Sequence, residues 1–383
     1  MKKALFNIRL IIFSFLKILL SWWRKPLNRE TTVELLQENV VYKQISPSID
    51  APPYISSIDE KTKLRLDVFG NDLKENTIDF EPDYVWQISR NERFSDLQIC
   101  SSGSPLINKK LILDLDYGTV GAYKEFPIKF KVINYDLVVA PWSHTFDGYY
   151  SFLLLIVTKL CRIETALGRE IWQTAKICYP LFHTKYEKQY FDKLGIPDRS
   201  IIDTQQPGIT IKPKTLICAN NQTIISRISS HDIELLRQRF LNRENSDRHN
   251  RNNRKIYLSR RNRRILKNES EIEEILLERG FELIEDKYYT VDEQISLFNS
   301  ASVIVAIHGA GLANLVWCNP GTKVIELFYS GYTKPSFYYL AKILNLEYGC
   351  LFDKNEAEDH ASNKFCDLEV DAILFSKLLN IML

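Results

Sequence analysis

Residues 302–314 read Ser-Val-Ile-Val-Ala-Ile-His-Gly-Ala-Gly-Leu-Ala-Asn. The unbroken apolar run Val303–Ile307 predicts a strand over Ser302–Ile307, buried on both faces as strands of parallel sheets are. His308 and the turn Gly309-Ala-Gly311 end it, and a helix follows. Strand, tight turn and helix make one half of a βα unit. In open parallel sheets, ligands lie beyond the carboxyl ends of the strands.

Working outward, the same alternation recurs on both sides. Upstream, a strand at Lys255–Ser259 leads into the turn Arg260-Arg-Asn-Arg-Arg264, and a helix starts at Asn268 with Glu271 as its capping-box partner. Gly280 stops that helix, a strand follows at Phe281–Glu285, and Thr290 with Glu293 predicts a second capping box for a helix ending near Ala301. Downstream come the turn Asn319-Pro-Gly321, a strand at Lys323–Phe328, a helix from Pro335 to Asn345 and a strand at Glu347–Leu351. Four or five βα units with short connections describe a Rossmann-like half-molecule, with no internal repeat of fixed period.

Further upstream, Asn242–Lys255 has no apolar residue before Ile256 and reads as an exposed loop or linker. Before it, a strand at Asp136–Ala140, a helix at Tyr149–Thr165, a strand at Ala175–Tyr179, a helix at Lys185–Leu194 stopped by Gly195, and Ile201–Ile202 suggest another parallel sheet. Residues 31–130 hold short strand-like runs, Val40–Ile45, Tyr84–Ser89, Leu97–Cys100 and Leu111–Leu115, separated by Pro, Gly and Asn/Asp clusters. With 383 residues, 45% apolar and 26% charged, the chain is long enough for two packed domains, which excludes disordered, collagenous and repeat-only classes.

The formal charge of +2 conceals segregation: residues 1–29 carry +7 and residues 237–267 carry +10, leaving −15 on the rest. In the first basic segment, Ile8–Trp23 is apolar but interrupted by Arg9 and Lys17. On a helical wheel Lys2, Lys3, Arg9, Lys17, Arg24 and Lys25 fall on one half and Ile8, Ile11, Ile12, Phe15, Leu16, Leu19, Trp22 and Trp23 on the other. That pattern fits a helix lying in a membrane interface. A single-pass signal anchor and a helix packed on its own domain are the alternatives, and no small-residue cleavage site follows. Seven scattered cysteines, with no C-x-x-C pair and no zinc-like spacing, read as reduced thiols and favour a reducing compartment.

Two loops carry the chemistry. Arg260, Arg261 and Arg264 follow a strand, where guanidinium groups can fork onto phosphate oxygens. His308, Gly309, Ala310, Gly311, Leu312 and Asn314 also follow a strand, where glycines admit close backbone approach and the N–H groups of the next helix suit an anion. Glu326, a charge inside Val324-Ile325-Glu326-Leu327-Phe328, fits ribose hydroxyls. Plain structural readings stand beside these: a solvated arginine turn, a core histidine, an edge-strand surface carboxylate and a purely capping Glu293.

Lys255-Ile-Tyr-Leu-Ser-Arg-Arg261, Arg264, Asn268-Glu269, Gly280-Phe281, Glu293-Gln294, Leu297-Phe298, Ala301, His308-Gly-Ala-Gly-Leu-Ala-Asn314 and Pro320-Gly-Thr-Lys-Val-Ile-Glu326 together resemble the C-terminal signature of family 61 glycosyltransferases. The resemblance implies an α/β GT-B-like architecture, two Rossmann-like domains facing a cleft. Its parts here are a membrane-associating helix at 1–29, an acceptor-side domain at 30–205 that is β-rich and then Rossmann-like, and a nucleotide-sugar domain at 206–383. It implies inverting transfer, usually from a UDP-sugar, to a glycan or lipid-linked glycan, with no essential metal and no cofactor. On such a fold the arginines, His308 and the 309–312 backbone hold the diphosphate, Asn314 supports the loop and Glu326 binds ribose. The N-terminal half departs from the family pattern: Gly148-Tyr-Tyr-Ser-Phe152 places Ser151 where a histidine is usual. Serine cannot be the general base, and His144 and Asp147 are the nearest titratable substitutes.

These readings converge on a glycosyltransferase of surface or capsular polysaccharide, held by residues 1–25 at the cytoplasmic face of a membrane. The alternative is a catalytically inactive nucleotide-sugar or glycan-binding scaffold. No nucleic-acid partner is expected, because the basic 237–267 segment lacks interleaved aromatics beyond Phe240 and Tyr257.

Overall fold

Val303, Val305 and Ile307 point to one face of a strand and Ile304 and Ala306 to the other, and both sets are buried, as the apolar run required. The computed structural model describes residues 25–26, 28–31, 36–50, 77–113, 124–125, 131–142, 148–206, 209–222, 227–241, 253–261, 263–330, 332, 334–354 and 366–383. The expected helix at 1–29, all but its last few residues, His144, Asp147 and residues 242–252 of the linker at 242–255 lie outside them. Among the described residues no helix is long and apolar enough to cross a membrane.

The protein is a mixed α/β chain with two principal sheets. The first begins with strands β1 (Asn28–Thr31), β2 (Val40–Gln44), β3 (Asp83–Ser89), β4 (Leu97–Ile99), β5 (Pro105–Ile107) and β6 (Lys110–Leu113), largely antiparallel. A parallel part follows: β7 (Lys131–Ala140), β8 (Lys176–Tyr179), β9 (Ile201–Asp203) and β10 (Ile209–Ala219), in the order β9-β8-β7-β10. The second sheet is wholly parallel and contains β11 (Arg254–Leu258), β12 (Glu282–Ile284), β13 (Ala301–Ile307), β14 (Lys323–Phe328) and β15 (Glu347–Phe352). Its order, β12-β11-β13-β14-β15, is that of doubly wound nucleotide-binding folds, reversing between β11 and β13.

Side chains alternate across the second sheet. Tyr257, Val303, Val305, Ile325 and Leu327 meet helices α4 (Glu269–Glu278) and α7 (Ala372–Met382) on one face. Ile256, Ile304, Val324 and Phe328 meet α5 (Val291–Asn299), a 3-10 helix at Ala310–Trp317 and α6 (Ser336–Ile343) on the other. That second face shares one apolar cluster with the first sheet, and helix α1 (Tyr149–Leu167) contributes the longest run of residues to it. This helix runs as an α-turn at Tyr149–Ser151, a π-helical stretch at Phe152–Val157 and an α-helix at Thr158–Leu167, and is buried without interruption from Ser151 to Glu164.

A helix with no solvent face must pair every charge it carries. Lys159 Nζ donates to the Trp142 carbonyl, and Glu164 accepts from Trp172 Nε1 at 2.7 Å and from Arg239 Nε at 2.9 Å. Arg162, 1% exposed, bridges Asp83 at 3.1 Å and Asp232, and donates to the Tyr84 and Asn220 carbonyls. Burial raises the Asp83 carboxyl, Arg162 pulls against it and Asp232 adds to it, leaving it pushed up to about 6.

Two sequence expectations change here. A boundary at 205 assigned Ile209–Ala219 to the second unit, but β10 pairs with β7 from Lys131↔Ile209 to Ala140↔Cys218 and lies inside the first sheet. Helix α3 (Ser230–Phe240) stays with it through Asp232, so the chain changes sheets between Phe240 and Arg254. An apolar strand carries no local signal of which sheet it joins. The Asn268 capping box also does not form: Asn268 Nδ2 donates to the Val370 carbonyl at 2.8 Å and its Oδ1 accepts from the Val370 N–H at 3.2 Å. The C-terminal segment takes the side chain that would have capped α4. By contrast Thr290 and Glu293 form the full box at α5, and Thr184 with Glu187 forms one at α2 (Lys185–Leu194).

Replacing Arg162 by Met leaves Asp83 and Asp232 buried together, and urea denaturation is expected to show a loss of about 3–5 kcal/mol. Asp83 holds its proton more tightly folded than unfolded. Its share of stability is therefore full below pH 3.8 and lost as pH rises through about 6, which a pH series of unfolding midpoints checks.

Candidate active site

β11 and β13 are neighbours where the strand order reverses, so the loops leaving their carboxyl ends converge. The point of convergence is the His308 carbonyl. Arg260 Nη1 donates to it at 2.8 Å and Arg264 Nη1 at 2.7 Å, so one N–H of each fork is spent on the same oxygen. Burial lowers the proton affinity of Arg260 below the guanidinium's ordinary value, and Arg264 beside it lowers it further. Burial does the same at Arg264. Two partly desolvated guanidinium groups held this close invite an anion.

Gly309 is what permits the arrangement. Its φ of 169° is ordinary extended backbone, but a Cβ added there would stand 2.1 Å from Arg260 Nη1. The guanidinium lies directly on the glycine. Arg264 supplies a second constraint: it sits in the left-handed region at φ 56°, with its guanidinium 4.8 Å over the Tyr332 ring. Such a conformation persists only when surrounding contacts impose it, and it concentrates at functional positions. Arg261 is not drawn in. Its backbone N–H donates to Asp286 at 3.1 Å and the residue is exposed.

His308 and Glu326 face the same side of the second sheet. His308 Nδ1 and Glu326 Oε1 are 2.5 Å apart, and the Tyr348 hydroxyl donates to Glu326 Oε2. The carboxylate is 0% exposed, on a strand flanked by β13 and β15, which removes the edge-strand reading. Both its oxygens are engaged within the protein. The imidazole stacks on Phe328 with centroids 4.9 Å apart and meets Tyr332 and Phe337 at 5.5 and 5.4 Å. With the carboxylate fixing Nδ1, Nε2 is the nitrogen left for a ligand.

Beyond His308 the chain turns through Gly309, with Ala310 and Gly311 exposed, into the helix Ala310–Trp317. Leu312 is buried in the core and offers a ligand only its backbone. Asn314 is buried as well and supports the turn, donating to the Gly311 carbonyl at 3.2 Å. Glu293 is the capping residue of α5. The structure thus gathers Arg260, Arg264, His308, Glu326 and the 309–312 backbone, and leaves Arg261 outside. Sequence reasoning missed Tyr348 and Tyr332 and gave Gln294 no role beyond its place in the signature, whereas it accepts from Asn314 Nδ2 at 2.9 Å. A tyrosine in a strand such as Glu347–Leu351 has no local mark that separates it from core.

The family model described as Glycosyltransferase 61 matches residues 124–325, more than half of the chain. A beta-1,2-xylosyltransferase of Oryza sativa subsp. japonica is 39% identical over 61 residues, covering 16% of this chain and 11% of that protein. A beta-1,2-xylosyltransferase of Arabidopsis thaliana is 34% identical over 61 residues with the same coverage. The matched stretch therefore spans about one tenth of the length of these relatives.

Gly309→Ala is expected to push the Arg260 guanidinium off its carbonyl while leaving the core untouched. Calorimetry should show pyrophosphate binding weakened at least about tenfold, or 1.4 kcal/mol, with the thermal midpoint moved by less than about 4 °C. Unchanged binding would show that Arg260 does not contact the anion.

Proposed function

The chain belongs to the glycosyltransferase 61 family, and from that we propose that it transfers a sugar, with inversion, from a UDP-sugar to a glycan or lipid-linked glycan, without an essential metal, on a GT-B-type architecture. The observation that carries this reading is the meeting of Arg260 and Arg264 on the His308 carbonyl, beside a glycine turn, at the reversal point of a parallel sheet. In this reading the donor diphosphate lies against the two guanidinium groups and the 309–312 backbone. Charge develops on the departing diphosphate, and preorganised donors in a partly dry site stabilise it without reorganising.

Glu326 acts through His308 in this scheme rather than on a ribose. It accepts from Nδ1–H, orients the ring and balances the positive charge of an imidazolium whose Nε2–H donates to the departing diphosphate. The acceptor hydroxyl needs a base, and His144 and Asp147 are the proposed ones, in the segment between β7 and α1. Ser151 is buried and is not a base. The two plant relatives are named for xylosyl transfer, which puts UDP-xylose first among donors to test. The amphipathic, cationic pattern of residues 1–25 supports attachment to the cytoplasmic face of a membrane, near a lipid-linked acceptor of surface polysaccharide synthesis.

The test is a panel of UDP-, GDP- and CMP-sugars, with binding by calorimetry and slow donor hydrolysis followed by NMR. UDP and a UDP-sugar are expected to bind, and the released sugar to appear first as the inverted anomer. Absence of any nucleotide binding overturns the reading, whereas UDP binding without turnover on any extracted acceptor favours the inactive scaffold. Arg260→Ala should abolish detectable UDP binding. Glu326→Gln is expected to lower kcat by about 10²-fold or more, as misorienting an active-site histidine does elsewhere, with donor affinity little changed. Activity within threefold of wild type would remove the dyad from the mechanism. Deleting residues 1–25 should release the protein from liposomes containing anionic lipid, and persistent binding would refute the tether.

A further inference from the structure

Asn314 spends every hydrogen-bonding position of its amide. Oδ1 accepts from Tyr149 Oη at 2.7 Å and Trp317 Nε1 at 3.1 Å, and Nδ2 donates to Gln294 Oε1 at 2.9 Å and the Gly311 carbonyl at 3.2 Å. The directions are forced. An indole N–H only donates, so Oδ1 must face Trp317. The Tyr149 hydroxyl, on that same oxygen, must then donate too. Its own oxygen is left to accept from the Tyr190 hydroxyl, 3.1 Å away.

The result is a directed chain, Tyr190 to Tyr149 to Asn314 to Gly311. Tyr190 lies on α2 and Tyr149 opens α1, both helices of the first sheet. Asn314 and Gly311 belong to the helix and glycine turn after β13 of the second. Gly311 is exposed, in the turn that the diphosphate reading assigns to the ligand. Tyr149 follows Gly148, which reaches φ 88° to start the helix, and precedes the π-helical stretch Phe152–Val157. A π-helical run is rare, and it recurs at functional sites. The α-turn that Asn314 grips through Tyr149 thus leads directly into that π-helical stretch.

We propose that Tyr149 is a positioning residue that couples the diphosphate site to the acceptor-side helix through Asn314, so that a ligand seated on the glycine turn also tightens the start of α1. The inference rests on the proposed diphosphate site. Coupling of this kind requires only that both ends share one hydrogen-bonded element with two states of order.

Hydrogen exchange of the full chain, with and without saturating UDP, reads it directly. In the wild type, UDP should slow exchange at least about threefold in peptides covering 309–318 and also in peptides covering 149–157. Tyr149→Phe keeps the ring edge-on to Tyr186, centroids 5.1 Å apart, and removes only the hydroxyl. It should retain the first protection and lose the second, an effect that a merely stabilising tyrosine would not produce. Protection of 309–318 alone in the wild type, or protection of 149–157 persisting in Tyr149→Phe, overturns the coupling while leaving the donor site standing. No protection anywhere overturns the diphosphate reading and the coupling with it.

Discussion

Helix α1 has no face turned to water between Ser151 and Glu164, and that burial constrains everything around it. Its apolar residues join the cluster that the first sheet shares with one face of the second, and its first turn packs on the 310–317 helix. Its charged residues would each cost several kcal/mol if left bare in that interior. Each therefore reaches a fixed partner: Lys159 a carbonyl, Glu164 an indole and an arginine, Arg162 two aspartates. These contacts hold α3 and β3 in place, and α3 in turn places Arg237 Nη1 on the carbonyls of Val316 and Cys318, where the 310–317 helix ends. The glycine turn at the other end of that helix is located from both sides.

Charge is handled in the opposite way at the two ends of the molecule's polar interior. Around Arg162 the acids and the base compensate one another, and nothing is left to offer a ligand. At the His308 carbonyl two guanidinium groups converge on a neutral oxygen, and the one buried carboxylate nearby is already held by Tyr348 and the His308 ring. Positive charge there is partly desolvated, and burial is the largest influence on both guanidinium groups. Such an arrangement is unfavourable for folding alone and favourable for binding an anion.

Much of the second sheet was legible. Lys323–Phe328 reads directly as a strand, Thr290 and Glu293 mark the start of α5, and a strand ending in His308-Gly-Ala-Gly311 carries its turn with it, because these signals are confined to a few consecutive residues. The arginine turn was legible as a site, yet not the division of labour within it. Whether Arg260, Arg261 or Arg264 faces the ligand depends on the left-handed backbone at Arg264 and on the bare Cα of Gly309. Asn268 shows the reverse case, a clear capping signal overruled by Val370, a residue 102 positions away.

The sequence by itself determined the βα alternation, the helix that became α1 and the placement of basic and glycine-rich loops at strand ends, since hydrophobic period, caps and turn residues act over one or two turns of chain. Only the tertiary structure decided that β10 joins the first sheet, that Glu326 answers to His308 and Tyr348, and that Tyr149 grips Asn314. Each of those is a pairing between distant segments, fixed by which surfaces come to share a desolvated interior.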